Sequence, residues 1–246
     1  HFTDGIEENE RQLKAFISGH RQGRFLGSSP LLTLPIFTVG NRRTPRDLIR
    51  TLQLRTLTLG PLNCTGPELR QEDGLVFLAL VRISQDVRPG RSVGFIPGEV
   101  CQALFGFDNG AARCRLRDSI SRLQDTKLSF TTFSVQLAGR FDYPARGPWS
   151  VALDPDILRL FENGLHVWLE DSKRLNYGSG VESFLYCYVC SQTTLIPTKL
   201  EQLRRLSGSR ATSKAFREEC REALAVLSGG GDIDSGWFID KHEMVH

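Results

Sequence analysis

The 246-residue chain is predicted to be an α+β protein, because two segments one hundred residues apart carry the same helix–turn–helix pattern and each precedes residues that suit a β-hairpin. The first segment begins at Ile96-Pro97 and the second at Ile196-Pro197. In each, a proline stands where a helix can begin, a short amphipathic helix follows, and a glycine-bearing break precedes a longer helix. A hairpin after the second helix is a wing. The sequence therefore predicts two winged-helix domains in tandem.

The chain is long enough for two domains with cores of ordinary size. Residues 1–34 are polar and lack apolar periodicity, so they are expected to form a flexible N-terminal tether. The first winged-helix domain is then expected over residues 35–150 and the second over residues 151–246.

The elements of the first domain follow from apolar spacing. Residues 52–59 alternate leucine with Gln, Arg or Thr, as a half-exposed strand does, and residues 68–83 have the inward face of a helix. Further strands are expected at 36–39 and 93–96, before the first helix–turn–helix. Residues 127–141 are expected to form the wing hairpin, and residues 149–153 to complete its sheet.

The second domain is predicted to open with a helix over residues 157–161, which either Asp154 or Asp156 can cap. A strand over 165–169, a buried helix over 180–191 and the second helix–turn–helix follow. The run Gly229 to Gly231 lacks the Lys-Ser/Thr ending of a phosphate-binding loop, so it is interpreted as a turn into a second hairpin over 233–245.

The second helix of each repeat is expected to expose cations opposite a buried stripe. At about 100° per residue, the first buries Ala112, Leu116, Ile120 and Leu123, and the second buries Phe216, Cys220, Ala223, Leu224 and Leu227. A row of like charges repels itself unless a polyanion lies beside it. The alternative interpretation is a basic face that contacts only solvent. Because both helices carry such a row of cations, binding to nucleic acid is favoured.

The candidate DNA contacts are therefore basic or small polar residues at these helices. In the first domain they are Arg113, Arg115 and Arg117, with Asn109 as a helix cap or a phosphate donor. In the second they are Ser209, Arg210, Ser213, Lys214, Arg217 and Arg221, because the first turns of a recognition helix reach deepest into the groove. Arg42, Arg43 and Arg46 are expected to follow the DNA backbone.

The sequence offers no catalytic constellation or cofactor motif, so we expect neither enzymatic activity nor a cofactor. Cys187 and Cys190 form a CxxC within an apolar helical run, which favours buried core over metal or redox chemistry. The longest apolar run, Leu75 to Val81, is too short to cross a bilayer. A cytoplasmic protein without membrane contact is expected.

Short motifs along the chain resemble those of the TrfA-type plasmid replication initiators. The residues that carry the resemblance are Phe37 to Pro45, Gly66 to Arg70, Arg122 to Gln124, Phe130, Leu160-Phe161 and Ser207 to Ser209. The resemblance implies two winged-helix domains that bind directly repeated sites, called iterons, in double-stranded DNA at an origin. It also implies opening of an adjacent AT-rich segment, recruitment of the host initiator and replicative helicase, and a homodimer as one form.

The resemblance further identifies residues 12–16 with the peptide by which this family binds the host sliding clamp. Gln12, Leu13 and Phe16 match it, whereas Ala15 stands where the family favours leucine. The same region is tied in the family to single-stranded origin DNA. Two alternatives remain open at this point: a transcriptional repressor with the same domains and no role in origin melting, and a scaffold that uses its winged helices for protein contacts.

Overall fold

The computed structural model describes residues 22–40, 44–48, 50–56, 58–87, 90–162, 164–178 and 180–246, which form a mixed α+β protein. In the amino-terminal half the elements are β1 (Arg24–Ser28), α1 (Ser29–Thr33), β2 (Phe37–Thr38), β3 (Arg50–Thr56), β4 (Gly60–Gly66), β5 (Leu69–Arg70), α2 (Gln71–Ile83), β6 (Val93–Phe95), α3 (Pro97–Phe105), α4 (Gly110–Gln124), β7 (Lys127–Phe130), β8 (Ser134–Gln136), β9 (Phe141–Asp142) and β10 (Trp149–Val151). A 3-10 helix (Pro155–Leu160), β11 (His166–Glu170), α5 (Asp171–Asn176), α6 (Val181–Cys190), β12 (Thr198–Lys199), α7 (Leu200–Leu206), α8 (Ser213–Gly229) and β13 (Met244–Val245) follow.

Helix α2 lies at the centre of the molecule, because its sequence is apolar on nearly every side. Val76, Phe77 and Leu80 pack into a core with α3, α4 and the sheets of the amino-terminal half. Leu75 and Leu78 face a second core that α6, α7 and α8 complete. The two halves therefore share a helix, and burial of its apolar side chains holds them together.

The two helix–turn–helix units keep the register that the repeat predicted. Each helix buries the apolar residues named for it, so that the equivalent pairs Leu116 and Phe216, Ile120 and Cys220 occupy matching inward positions with essentially no exposure. Their first helices differ. Pro97 begins α3, but Pro197 precedes strand β12, and the prediction that a proline also begins the second unit was wrong.

The hairpin predicted as the first wing forms but belongs to another sheet. Strands β7 and β8 pair with β3 and β4 in an antiparallel sheet of order β3-β4-β7-β8, because the buried side chains of β4 and β7 continue one apolar face. Strand β10 pairs instead with β6 and β9. The strands that follow α4 and flank an exposed loop over 143–148 are thus β9 and β10.

The prediction of a tether over residues 1–34 was wrong for residues 24–34. Strand β1 pairs antiparallel with β11 along its whole length, and α1 buries Pro30, Leu31 and Leu32. The apolar stretches were too short to show periodicity, but pairing with a distant strand buries them. Residues 1–21, which include the predicted clamp-binding Gln12, Leu13 and Phe16, lie outside the described residues.

The remaining elements agree with the sequence in outline. The Asp154 side chain accepts from the Asp156 backbone N–H and caps the 3-10 helix, whereas Cys187 is buried within α6. The predicted glycine turn begins later than expected, because α8 continues to Gly229. A closing hairpin pairs residue 238 with residue 246 around a turn over 240–243. No helix among the described residues is long and apolar enough to span a membrane.

Candidate nucleic-acid interface

The amino-terminal end of α4 is exposed and capped. The Asn109 side chain accepts from the Ala112 backbone N–H at 2.9 Å, which makes it the helix cap that the sequence allowed. Arg113, one turn later, is half-exposed and makes two hydrogen bonds to Asp108, at 2.7 and 2.6 Å. This pairing raises the pKa of the guanidinium further, so Arg113 stays charged at the helix surface.

Arg117 lies on the same outward side of α4. Its guanidinium contacts Asp118 at 2.9 Å, and its Cζ lies 6.0 Å from the centre of the Tyr143 ring in the β9–β10 loop. The Tyr143 ring stacks on Phe141, with ring centres 5.0 Å apart. Helix α4 therefore lies beside Tyr143, the first residue of the loop over 143–148.

Arg115 has a different environment from its neighbours. Its side chain turns towards the protein, donates to Glu72 at 3.0 Å and lies over the Phe105 ring at 4.2 Å. It thereby ties α4 to α2 and α3. The structure thus corrects the expectation that Arg115 contacts DNA, because Glu72 on α2 holds its guanidinium against the protein.

The first turn of α8 presents an unpaired cation. The Thr212 side chain caps the helix by accepting from the Ala215 backbone N–H, and Ser213 and Lys214 are exposed. Lys214 forms no ion pair with any residue that the structure describes. A helix amino terminus already attracts anions through its free backbone N–H groups and its dipole, and Lys214 adds an exposed positive charge there.

Two further cations follow along the same face of α8. Arg217 lies 3.5 Å from Glu243 in the closing hairpin, and Arg221 contacts Glu218 at 2.9 Å. Such exposed pairs contribute little stability, because water screens the charges and long side chains lose freedom when they pair. A phosphate can therefore replace these carboxylates at small cost.

Arg46 and Arg210 both pair with acids of the amino-terminal half, although Arg210 remains exposed. Arg46 donates to the buried Asp73 at 2.6 Å, and Arg210 pairs with Asp47 while lying 3.6 Å from Glu68. Ser209 accepts from the Ala211 backbone N–H within the turn. The structure thus corrects the expectation for Arg46, because the Asp73 carboxylate and the Glu68 backbone carbonyl both accept from its guanidinium. Arg42 and Arg43 lie outside the described residues.

The β9–β10 loop contains residues that sequence analysis missed. Tyr143 and Arg146 are exposed there, and Arg146 forms no ion pair within the described part of the chain. Lys241 is similarly exposed in the turn of the closing hairpin. An available signal was the cation bracketed by glycine and proline at 144–148, which is typical of a turn.

The TrfA protein family matches residues 31–246 of this chain. The chain belongs to this family. The plasmid replication initiator protein TrfA of Escherichia coli is 29% identical over an alignment of 227 residues, which covers 86% of this chain and 58% of that protein. The chain thus spans a little over half the length of this curated relative.

The TrfA-family chain also has structural relatives of low sequence identity. Domains 2 and 3 of RctB, in a selenomethionine crystal structure, superpose with a TM-score of 0.59 at 14% identity, covering 88% of this chain and 95% of that one. A second crystal structure of these domains gives 0.57 at 13% identity, with 85% and 92% coverage. At such identities the similarity concerns the fold alone.

Proposed function

We propose that this chain is the duplex-DNA-binding part of a plasmid replication initiator. The observation that carries the proposal is the pair of equivalent helices, α4 and α8. They bury three equivalent positions, 116 and 216, 120 and 220, 123 and 223, and each has a cationic outward face beside an exposed loop. Membership of the TrfA family supports the initiator role, since an E. coli relative has that name.

We further propose that each half contains a winged-helix unit. In the first, α2, β6, α3, α4, β9 and β10 follow one another, and the loop over 143–148 is the wing. In the second, the order α6, β12, α7, α8 and the closing hairpin is similar, with a wing over 240–243. Helices α4 and α8 would then enter major grooves, and the wings would reach the adjacent backbone.

The proposed contacts divide by position. The proposed base contacts are Lys214 and Ser213 at the start of α8 and Arg113 on α4, since a recognition helix inserts its first turns into the groove. Arg117, Arg146, Arg217, Arg221 and Lys241 are proposed phosphate contacts. Each neutralised phosphate releases counterions, which makes affinity depend on salt. Binding of this kind requires no catalytic residue, and we propose that the chain is not an enzyme.

The DNA target that fits this arrangement is a directly repeated iteron, in which one molecule contacts two successive grooves. We propose that repeated binding promotes opening of an AT-rich segment and recruits the host initiator, helicase and sliding clamp, as the family resemblance implies. These steps are supported by the E. coli relative, which is named a plasmid replication initiator protein. Residues 12–16 remain the proposed clamp-binding peptide.

The test replaces Lys214 with alanine. Affinity for a duplex selected from random sequence by the wild-type chain should fall by about 1 to 3 kcal/mol if Lys214 reads a base. If Lys214 contacts only phosphate, the slope of log affinity against log salt concentration should become smaller in magnitude by about one. Fluorescence anisotropy at several salt concentrations measures both quantities.

The matched control is Lys127→Ala, which removes an exposed lysine from the solvent face of the β3-β4-β7-β8 sheet. It should bind as the wild type does. Equal affinity and equal salt slope for Lys214→Ala and the wild type would refute the assignment of α8 as a recognition helix.

A further inference from the structure

A short segment, residues 44–48, connects the two proposed recognition helices through side chains. Towards α4, Arg46 donates to Asp73, whose carboxylate also accepts from Ser119 at 2.6 Å and from Arg122 at 2.7 Å, both on α4. Asp73 is completely buried, so these charged hydrogen bonds are protected from solvent. The segment is therefore fixed to the inward side of α4.

Towards α8, the contact is made by Asp47, the next residue in the segment. The Asp47 carboxylate pairs with Arg210, which lies in the turn between α7 and α8. The Asp47 backbone is itself held by Glu68: its N–H donates to the Glu68 carboxylate at 3.2 Å, and its carbonyl accepts from the Glu68 N–H at 2.9 Å. Two backbone contacts thus hold Asp47 where Arg210 can reach it.

The turn between α7 and α8 also rests on strand β2. The Val39 N–H donates to the Ser207 carbonyl at 3.0 Å. Gly208 adopts a φ of +64°, and a Cβ there would lie 2.6 Å from Thr38 Cγ2. The close approach and the left-handed backbone both require glycine at this position. The turn that leads into α8 is therefore seated on the amino-terminal half, with Arg210 at its outer edge.

We propose that Asp47, acting through Arg210, is a positioning residue that sets the spacing between the DNA segments contacted by α4 and α8. The inference rests on the proposed function, because it assumes that both helices contact one duplex. The shared helix α2 fixes the bodies of the two halves. The Asp47–Arg210 pair adds a restraint on the turn that aims the first residues of α8, where base contacts are made.

A positioning role and a direct DNA contact predict opposite effects. If Arg210 contacted phosphate, Asp47 would compete with the DNA for it, and removal of Asp47 would tighten binding. If Asp47 positions the turn, loss of either partner weakens binding to the correctly spaced target. The double substitution should then weaken binding no more than Arg210→Ala alone, because Arg210→Ala already removes the Asp47 pair together with the contact to Glu68.

The experiment uses a duplex selected from random sequence by the wild-type full chain, in which footprinting locates the two contacted segments. Two further versions have two or five base pairs inserted between these segments. Five base pairs turn one segment to the opposite side of the helix axis. Asp47→Ala and Arg210→Ala should each weaken binding to the selected duplex by about two- to five-fold, as an exposed ion pair allows. Both should reduce the discrimination against the inserted duplexes.

The charge exchange Asp47→Arg with Arg210→Asp should restore part of the affinity and of the spacing preference, because it remakes the pair but brings a carboxylate near Glu68. A merely destabilised turn does not explain any such recovery. The control is Asp156→Ala, which breaks a similarly exposed pair with Arg159 and should bind like the wild type. Tighter binding by Asp47→Ala, or an unchanged spacing preference, would overturn the inference while leaving duplex binding intact. A wild-type chain that selects no duplex would overturn the proposed function and this inference with it.

Discussion

At the scale of single residues, the cations of α4 and α8 differ in how firmly they are held. Arg115 joins three helices through Glu72 and the Phe105 ring. Arg113 and Arg221 pair with acids that are themselves exposed, whereas Lys214 has no carboxylate partner among the described residues. The proposed DNA contacts are therefore those whose present partners are absent or easily exchanged with phosphate.

Cys114 provides a natural probe of this surface. It is exposed on the outward side of α4, while Cys64 and Cys220 are buried. Burial raises the pKa of Cys64 to about 11 and that of Cys220 to about 12, so both remain unreactive thiols at pH 8. Cys114 should be alkylated first, and bound duplex should slow that reaction at least several-fold. Peptide mass spectrometry of timed samples measures it.

The control is the same duplex added to the Lys214→Ala variant at a salt concentration that prevents binding, where Cys114 should regain its unprotected rate. Alkylation of Cys114 at an equal rate with and without saturating duplex would place α4 outside the interface.

At the scale of elements, the position of α4 depends on one buried carboxylate. Asp73 on α2 accepts hydrogen bonds from Ser119 and Arg122 of α4, from Arg46, and from the backbone of Arg70 at the start of its own helix. Every lone pair is used by a donor. Such a buried charge is tolerated only because its partners are all in place.

The substitution Asp73→Asn should therefore be strongly destabilising. The amide nitrogen would face guanidinium groups that need an acceptor, and breaking a buried charged network costs about 3 to 5 kcal/mol. Urea denaturation followed by circular dichroism should show a loss of this size in the free energy of unfolding. Asp118→Asn, which alters an exposed partner of Arg117, should change it little. Similar stability of the two variants would contradict the role assigned to Asp73.

At the scale of the whole molecule, helix α2 contributes to the cores of both halves. Phe77 and Leu80 belong to the core of the amino-terminal half, and Leu78, between them in sequence, belongs to the other. Neither half could unfold without exposing one side of this helix. We expect the halves to unfold together.

Leu78→Ala tests this coupling. Truncation of a fully buried leucine should lower the free energy of unfolding by about 2 to 5 kcal/mol. Hydrogen exchange should then show that protection falls equally in α4 and α8, although Leu78 packs only in the second core. Leu48→Ala is the matched control, because Leu48 is 86% exposed. Loss of protection confined to α8 would mean that the halves unfold independently.

The spacing of apolar residues in the sequence was sufficient to predict which side chains of α4 and α8 are buried. The inward residues of α4 and α8 were predicted individually, since a 3.6-residue period leaves one face for the core. Asn109 and Asp154 were also predicted from the sequence as candidate helix caps, and both cap a helix. Predictions of strand pairing were weaker. Nothing in the spacing of 127–141 indicates that its hairpin joins β3 and β4, or that β1 pairs with β11 some 140 residues away.

The sequence by itself determined the two equivalent helices, their buried stripes and the side of each that carries positive charge, because these depend on neighbours within a few turns. Only the tertiary structure decided which cations remain available: it drew Arg46, Arg115 and Arg210 to Asp73, Glu72 and Asp47, and it left Lys214 exposed. The reason is physical. A charge is neutralised by whichever acid folding brings within a few ångströms, and those acids lie 43 residues away for Arg115 and 163 for Arg210.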